Sequence, residues 1–244
     1  MHIIKFDTAE ALAVYSANKL TAAVRAKPDS LCCFAAGHTQ NDTYRYFVQA
    51  VREQDIPVDR LRFIGLDEWG SLDGTDSGSC RSYIDERLLR PLGIREEQIL
   101  LFFDGKSDYQ EQCSRADRLL DEHGPIDILV LGIGVNGHVG FNEPGALPEE
   151  RSHYLTLSET TTTVGKKYFT DNKQLADGIT LGLFDLLKAE MILIQATGDK
   201  KSPVVSRIIS GADPLDIPAS WFDRADAELI VDSDALAGCH YSVS

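Results

Sequence analysis

The stretch Gly132-Ile133-Gly134-Val135-Asn136-Gly137-His138-Val139-Gly140-Phe141-Asn142-Glu143-Pro144-Gly145 places three hydrogen-bonding side chains, Asn136, His138 and Glu143, just after an apolar run. A histidine steered by a carboxylate can exchange a proton near neutral pH. A second apolar run, residues 61–66, ends on the carboxylates of Asp67-Glu68. A positioned carboxylate suits removal of a carbon-bound proton next to a latent carbonyl. The glycines at 132, 134 and 137 also match a dinucleotide-binding spacing. That fingerprint must open a helix, whose N-terminus carries the pyrophosphate. Pro144 and the clustered glycines predict a loop instead, and no acidic residue ends a second strand about 20 positions on. An acid–base site is the better reading.

The elements that position these groups follow from the apolar pattern. Strands are predicted at residues 3–6, 31–36, 61–66, 126–132, 179–182, 191–196 and 228–232, all rich in aliphatic residues. Helices are predicted at 8–26, 42–53, 80–89, 107–123, 183–189 and 200–210. Strands alternating with helices imply an α/β chain. The expected architecture is a single-domain, doubly wound, mostly parallel sheet over residues 1–244, with helices on both faces, Rossmann-like. Ligands gather at the carboxyl ends of such strands. The candidate loops are therefore 37–43, 67–70, 132–145 and 197–201.

Composition narrows the function class. The 244 residues carry 38 acidic and 24 basic side chains, a formal net charge of −14. No nucleic-acid or anionic-membrane partner is expected from that balance. No run approaches the ~20 apolar residues that span a bilayer. Five cysteines without a CxxC pair read as reduced thiols in a cytoplasmic protein. No Cys/His cluster has the spacing of a metal site.

Two of these motifs resemble a known family. The segment 131–145 is similar to the signature of glucosamine-6-phosphate deaminases, also called glucosamine-6-phosphate isomerases. Leu66-Asp67-Glu68-Trp69 resembles their second signature, and Pro218-Ala219-Ser220 before an apolar strand resembles their C-terminal part. The likeness runs over nearly the whole chain. It implies aldose–ketose isomerisation coupled to loss of ammonia, on a small sugar phosphate, with no metal or organic cofactor. Asp67 matches the base that moves a proton between C2 and C1. His138 matches the group that assists ring opening, and Asn136 and Glu143 match the pair that orients it. Homo-oligomerisation is left open.

The departures lie at the phosphate end. Family members carry a Gly-Ser-Thr-Pro-like or Gly-Gly-Thr-Pro-like loop where this chain has Gly37-His38-Thr39-Gln40. Gly37 and Thr39 match, and His38 adds a donor. A glycine loop before a helix still favours an anion. Lys201, in Gly198-Asp199-Lys200-Lys201, matches the family's phosphate lysine. Lys167 stands near an arginine position of some members, with Lys166 as its competitor. Many members have Asp at position 136, and Asn can still hydrogen-bond a histidine. Galactosamine 6-phosphate is an alternative substrate. A 6-phosphogluconolactonase shares the expected fold, but Trp69-Gly70-Ser71 and Ser79-Cys80-Arg81-Ser82 follow the deaminase pattern better. A sugar-phosphate sensor without turnover is the non-enzymatic alternative, motivated by His38, Gln40 and Asn136.

Overall fold

A computed structural model describes residues 1–169 and 175–239. Its frame is a seven-stranded, wholly parallel sheet. In chain order the strands are β1 (His2–Phe6), β2 (Leu31–Phe34), β3 (Arg62–Ile64), β5 (Ile99–Leu101), β6 (Ile128–Gly132), β9 (Met191–Ala196) and β10 (Ala227–Asp232). Their spatial order is β1-β10-β9-β6-β2-β3-β5. From β2 the chain winds outward through β3 to β5. It then returns to β6, on the other side of β2, and winds the opposite way through β9 to β10. The strand order thus reverses between β2 and β6, and a crevice opens at such a reversal.

Alternate residues of the strands feed two cores, as a period of two requires. Cys32, Phe34, Ile128 and Val130 pack on one face. That face is covered by α1 (Ala9–Ala26) and α2 (Asn41–Glu53), together with α3 (Cys80–Ile84), which runs through a π-type turn (Asp85–Leu89) into α4 (Arg90–Leu92). Leu31, Cys33, Leu129 and Leu131 pack on the other. There the cover is α5 (Tyr109–His123), α7 (Leu183–Leu186) and α8 (Ser202–Ile209). Thr8 caps α1 by accepting from the Ala11 N–H at 3.1 Å, the role its hydroxyl suits.

The structure corrects the sequence reading in one important respect. Residues 179–182 do not join the large sheet. β8 (Asp177–Thr180) is the centre of a second, antiparallel sheet, flanked by β4 (Asp67–Trp69) and β7 (His153–Thr156). Asp67 is therefore not a loop residue at a strand end. It opens β4 after a two-residue passage, Gly65-Leu66, from β3, and it pairs with Thr180. The pattern could not separate the two sheets, because Ile179 and Leu181 are as fully buried as any strand of the main core. The helix α6 (Glu159–Gly165) was also not predicted. Its sequence is mostly threonine, a weak helix former. Its end is fixed instead by Ser158, whose Oγ accepts from the Thr161 N–H at 3.2 Å. All five cysteines are free thiols. Among the described residues no helix is long and apolar enough to cross a membrane.

Candidate active site

The crevice between β2 and β6 is the mouth of a cleft of about 970 Å³, counted out to its open face. Gly37, His38, Thr39, Asp67, His138, Lys167 and Lys201 all line it. Asn136 and Glu143 stand behind His138. These nine residues are thus brought to one place, from loops more than a hundred positions apart. Lys166, the competitor of Lys167, does not line the cleft.

The His138 loop is a tight reversal and not a helix start. Gly134 N–H donates to the His138 carbonyl at 2.9 Å, and Gly137 N–H to the Gly134 carbonyl at 3.0 Å. Gly137 has φ +91, a conformation that side chains disfavour. At Gly134 the need is space, since a Cβ would lie 2.3 Å from the imidazole. Two anchors hold the loop from outside. Asn142 Nδ2 donates to the Val139 and Leu181 carbonyls, both at 2.9 Å. Ala219 N–H donates to the Gly137 carbonyl at 2.9 Å, which ties the Pro218-Ala219-Ser220 segment to this loop.

Behind the imidazole runs a directed chain of hydrogen bonds. Asn136 Nδ2 donates to Glu143 Oε2 at 2.7 Å, so Asn136 Oδ1 faces His138 Nδ1, also at 2.7 Å. An amide oxygen only accepts, so Nδ1 carries the proton and Nε2 is the bare nitrogen. Ser158 Oγ donates to the Glu143 carboxylate at 3.1 Å, and Thr161 Oγ1 lies 3.1 Å from His138 Nδ1. Burial lowers the His138 pKa to about 4, opposed by Glu143 and assisted by Lys201. The ring is therefore neutral at pH 7, a proton acceptor at Nε2.

Asp67 is the complementary group. Burial raises its carboxyl to about 7, while the neighbouring Cys80 thiol pulls it down. A carboxylate poised there is a stronger base than a solvated one and still ionises near neutrality. Glu68, whose role sequence reasoning left open, points away from the chemistry and is fully buried. Its carboxylate accepts from the N–H groups of Trp69 (2.9 Å), Cys80 (3.0 Å) and Arg81 (3.1 Å). It thereby ties β4 to the first turn of α3 and fixes the backbone that presents Asp67. Burial pushes Glu68 up, to about 8, against those three donors.

The far end is cationic. Lys201 Nζ donates to the Ile133 carbonyl at 2.5 Å, and burial with Lys167 nearby lowers its pKa to about 8. Lys167 lies over the Tyr168 ring, 5.0 Å from its centroid. His38 stacks on the same Tyr168 ring at 4.9 Å, and Tyr83 stands edge-on to His38 at 6.4 Å. Burial, then Lys167 and Arg87, lower the His38 pKa. Tyr83 and Tyr168 were missed in the sequence, where isolated tyrosines look like core. Among the described residues no three His, Cys, Asp or Glu side chains converge as a metal site would require.

The chain matches the family model "Glucosamine-6-phosphate isomerases/6-phosphogluconolactonase" over residues 5–231. It is 31% identical to the glucosamine-6-phosphate deaminase of Staphylococcus epidermidis RP62A, over 98% of this chain and 100% of that protein. The solved structure of a monomeric glucosamine-6-phosphate deaminase superposes with a TM-score of 0.93 at 28% identity, covering 97% of this chain and 99% of that one. The 6-phosphogluconolactonase of Trypanosoma brucei superposes at 0.75 with 18% identity, over 97% of each chain, and so shares the fold. With that match over residues 5–231 and the side chains of both signatures in one cleft, the chain belongs to the glucosamine-6-phosphate isomerase/6-phosphogluconolactonase family.

Proposed function

We propose that this protein is an amino-sugar-phosphate deaminase acting on a hexosamine 6-phosphate. The carrying observation is the pairing, in one cleft, of a neutral imidazole with a bare Nε2 and a carboxylate poised near pH 7. His138 Nε2 takes the proton from the anomeric hydroxyl and returns it to the ring oxygen as the C1–O5 bond breaks. Asp67 removes the C2 proton of the open aldose, and the proton is returned at C1. The resulting C2 imine adds water and releases ammonia, leaving a ketohexose 6-phosphate. Each step is a proton transfer or an addition of water, so acid–base side chains suffice. Gly37, His38, Thr39, Lys167 and Lys201 hold the phosphate, by loop amides, a hydroxyl and point charges. Five unpaired thiols suit a reducing cytoplasm.

The test is ammonia release from glucosamine 6-phosphate and galactosamine 6-phosphate, run beside hydrolysis of 6-phosphogluconolactone. Ammonia from either hexosamine supports the reading and identifies the epimer. Lactone hydrolysis without ammonia overturns it, as does ligand-induced thermal stabilisation without any turnover.

A further inference from the structure

Gln40 stands where the resembling loops carry proline. Its side chain is 1% exposed, yet it lines the cleft. Its Nε2 has no hydrogen-bond partner among the described residues. The nearby buried amide of Gln195 is different, because its Nε2 donates to Thr43 Oγ1 at 2.9 Å. Buried donors are almost always paired, and one left open inside a ligand cleft points to a ligand atom.

The slot that holds the amide explains why it stays aimed. A Cβ on Gly37 would lie 2.8 Å from Gln40 Oε1, and a Cβ on Gly132 would lie 2.9 Å from Nε2. These two glycines follow β2 and end β6, the strands between which the sheet order reverses. The carboxamide is therefore packed between Gly37 and Gly132 at the switch point, where a side chain on either residue would crowd it. The cleft that it lines carries further donors: the Gly37–Thr39 loop, Lys201 held on the Ile133 carbonyl, and Lys167. The ligand group that suits several donors, two of them cationic, is an anionic oxygen.

We infer that the Gln40 side-chain amide is a specificity contact that donates a hydrogen bond to a phosphate oxygen of the substrate. This rests on the reading of the cleft as a hexosamine 6-phosphate site. The donor is neutral and fixed, so it recognises geometry as well as charge. It supplies a contact that a proline at this position cannot make.

The experiment compares Gln40→Leu and Gln40→Glu with the wild type. Thermal shift of the free enzyme, the Kd for inorganic phosphate, and KM and kcat for the hexosamine 6-phosphate are measured. Gln40→Leu removes the open donor, so the free protein should melt at the same temperature or higher. Its Kd for inorganic phosphate and its KM should each rise about tenfold, with kcat within about twofold. Gln40→Glu should be worse at pH 8, where the added carboxylate repels phosphate. It should recover towards Gln40→Leu at pH 5, where a protonated carboxyl can donate. Gln40→Met, which keeps the side-chain length, repeats the measurement should the leucine variant fail to fold. A lower melting temperature with unchanged phosphate affinity would make Gln40 a structural amide and overturn the inference. An equal loss for unphosphorylated glucosamine would move the contact to the sugar and overturn it also. A wild type that binds inorganic phosphate through Gln40 but turns over no hexosamine phosphate would sink the deaminase reading alone.

Discussion

At the imidazole end of the cleft, Glu143, Ser158, Asn136 and His138 bond to one another in an unbroken series, which leaves only Nε2 open. At the opposite end, burial and then Lys167 lower the pKa of Lys201, burial and then Lys200 lower that of Lys167, His38 is pushed down by burial and Lys167, and Gln40 holds an unpaired donor. The first end is finished without ligand. The second is a set of donors and cations in need of an anion. A relay must be rigid before the reaction begins, since its work is to hold one tautomer. An anion site can be left incomplete, because the incoming phosphate completes it.

Asp67, in the wall of the same cleft, should give the largest effect. Asp67→Asn is expected to lower kcat by about 10³–10⁴-fold and to abolish C2 proton exchange in deuterated water. Full exchange in that variant would remove Asp67 from the base role. The same substitution should alter stability in a pH-dependent way. The folded pKa of Asp67 is raised, so its stabilising contribution is complete below the unfolded pKa and is lost as pH rises through about 7. Asp67→Asn should therefore melt above the wild type at pH 8 and level with it near pH 3.

Next comes the finished end. Asn136→Leu frees the His138 tautomer and strands the buried Glu143 carboxylate, so kcat should fall about 100-fold with KM little changed. A variant that keeps its kcat would show that the relay is not needed for ring opening. The unfinished end should answer in KM. Lys201→Met is expected to raise KM by about 10–100-fold. In the wild type, kcat/KM should rise with pH as Asp67 ionises near 7 and fall as Lys201 deprotonates near 8. Lys201→Met should lose the upper limb and keep the lower, and a retained limb would assign it to another group. The smallest effect is at His38. Its pKa is lowered in the free protein, and a bound dianion reverses that, so binding at pH 6.5 should take up a fraction of a proton. Calorimetry in buffers of different ionisation enthalpy reads this directly, and His38→Asn should remove it.

How legible the two ends were in the sequence follows the same division. The relay is local: Asn136, His138 and Glu143 lie within one loop, and their spacing announces them. Six of the seven parallel strands were legible too, in aliphatic runs such as residues 126–132 and 191–196, whereas the three-residue edge strand β5 is too short to show a pattern. The cationic end is assembled from β2, α6 and β9 loops, and nothing in the order of residues says that Tyr83 will face His38. Ser158 and Thr161 were invisible for a related reason, as hydroxyls in a threonine-rich run look like solvent-facing loop. The second sheet escaped because burial makes apolar segments alike, whichever strand they pair with. Gln40 was read as a mismatch with a family pattern, and only its burial without a partner gives it meaning.

The helix α6 touches both ends. Ser158 and Thr161, at its start, bond to Glu143 and approach His138, while the turn that continues it (Lys166–Tyr168) brings Lys167 and Tyr168 to the cationic wall. One short rod thus fixes the spacing between the His138 relay and the cationic wall, and on the proposed reading it is a yardstick between ring oxygen and phosphate. A sugar that lacks its phosphate, or carries it one carbon away, can still enter, but it no longer sets the rod's far end when it grips the near one. Such a compound should be a slow substrate as well as a weak one.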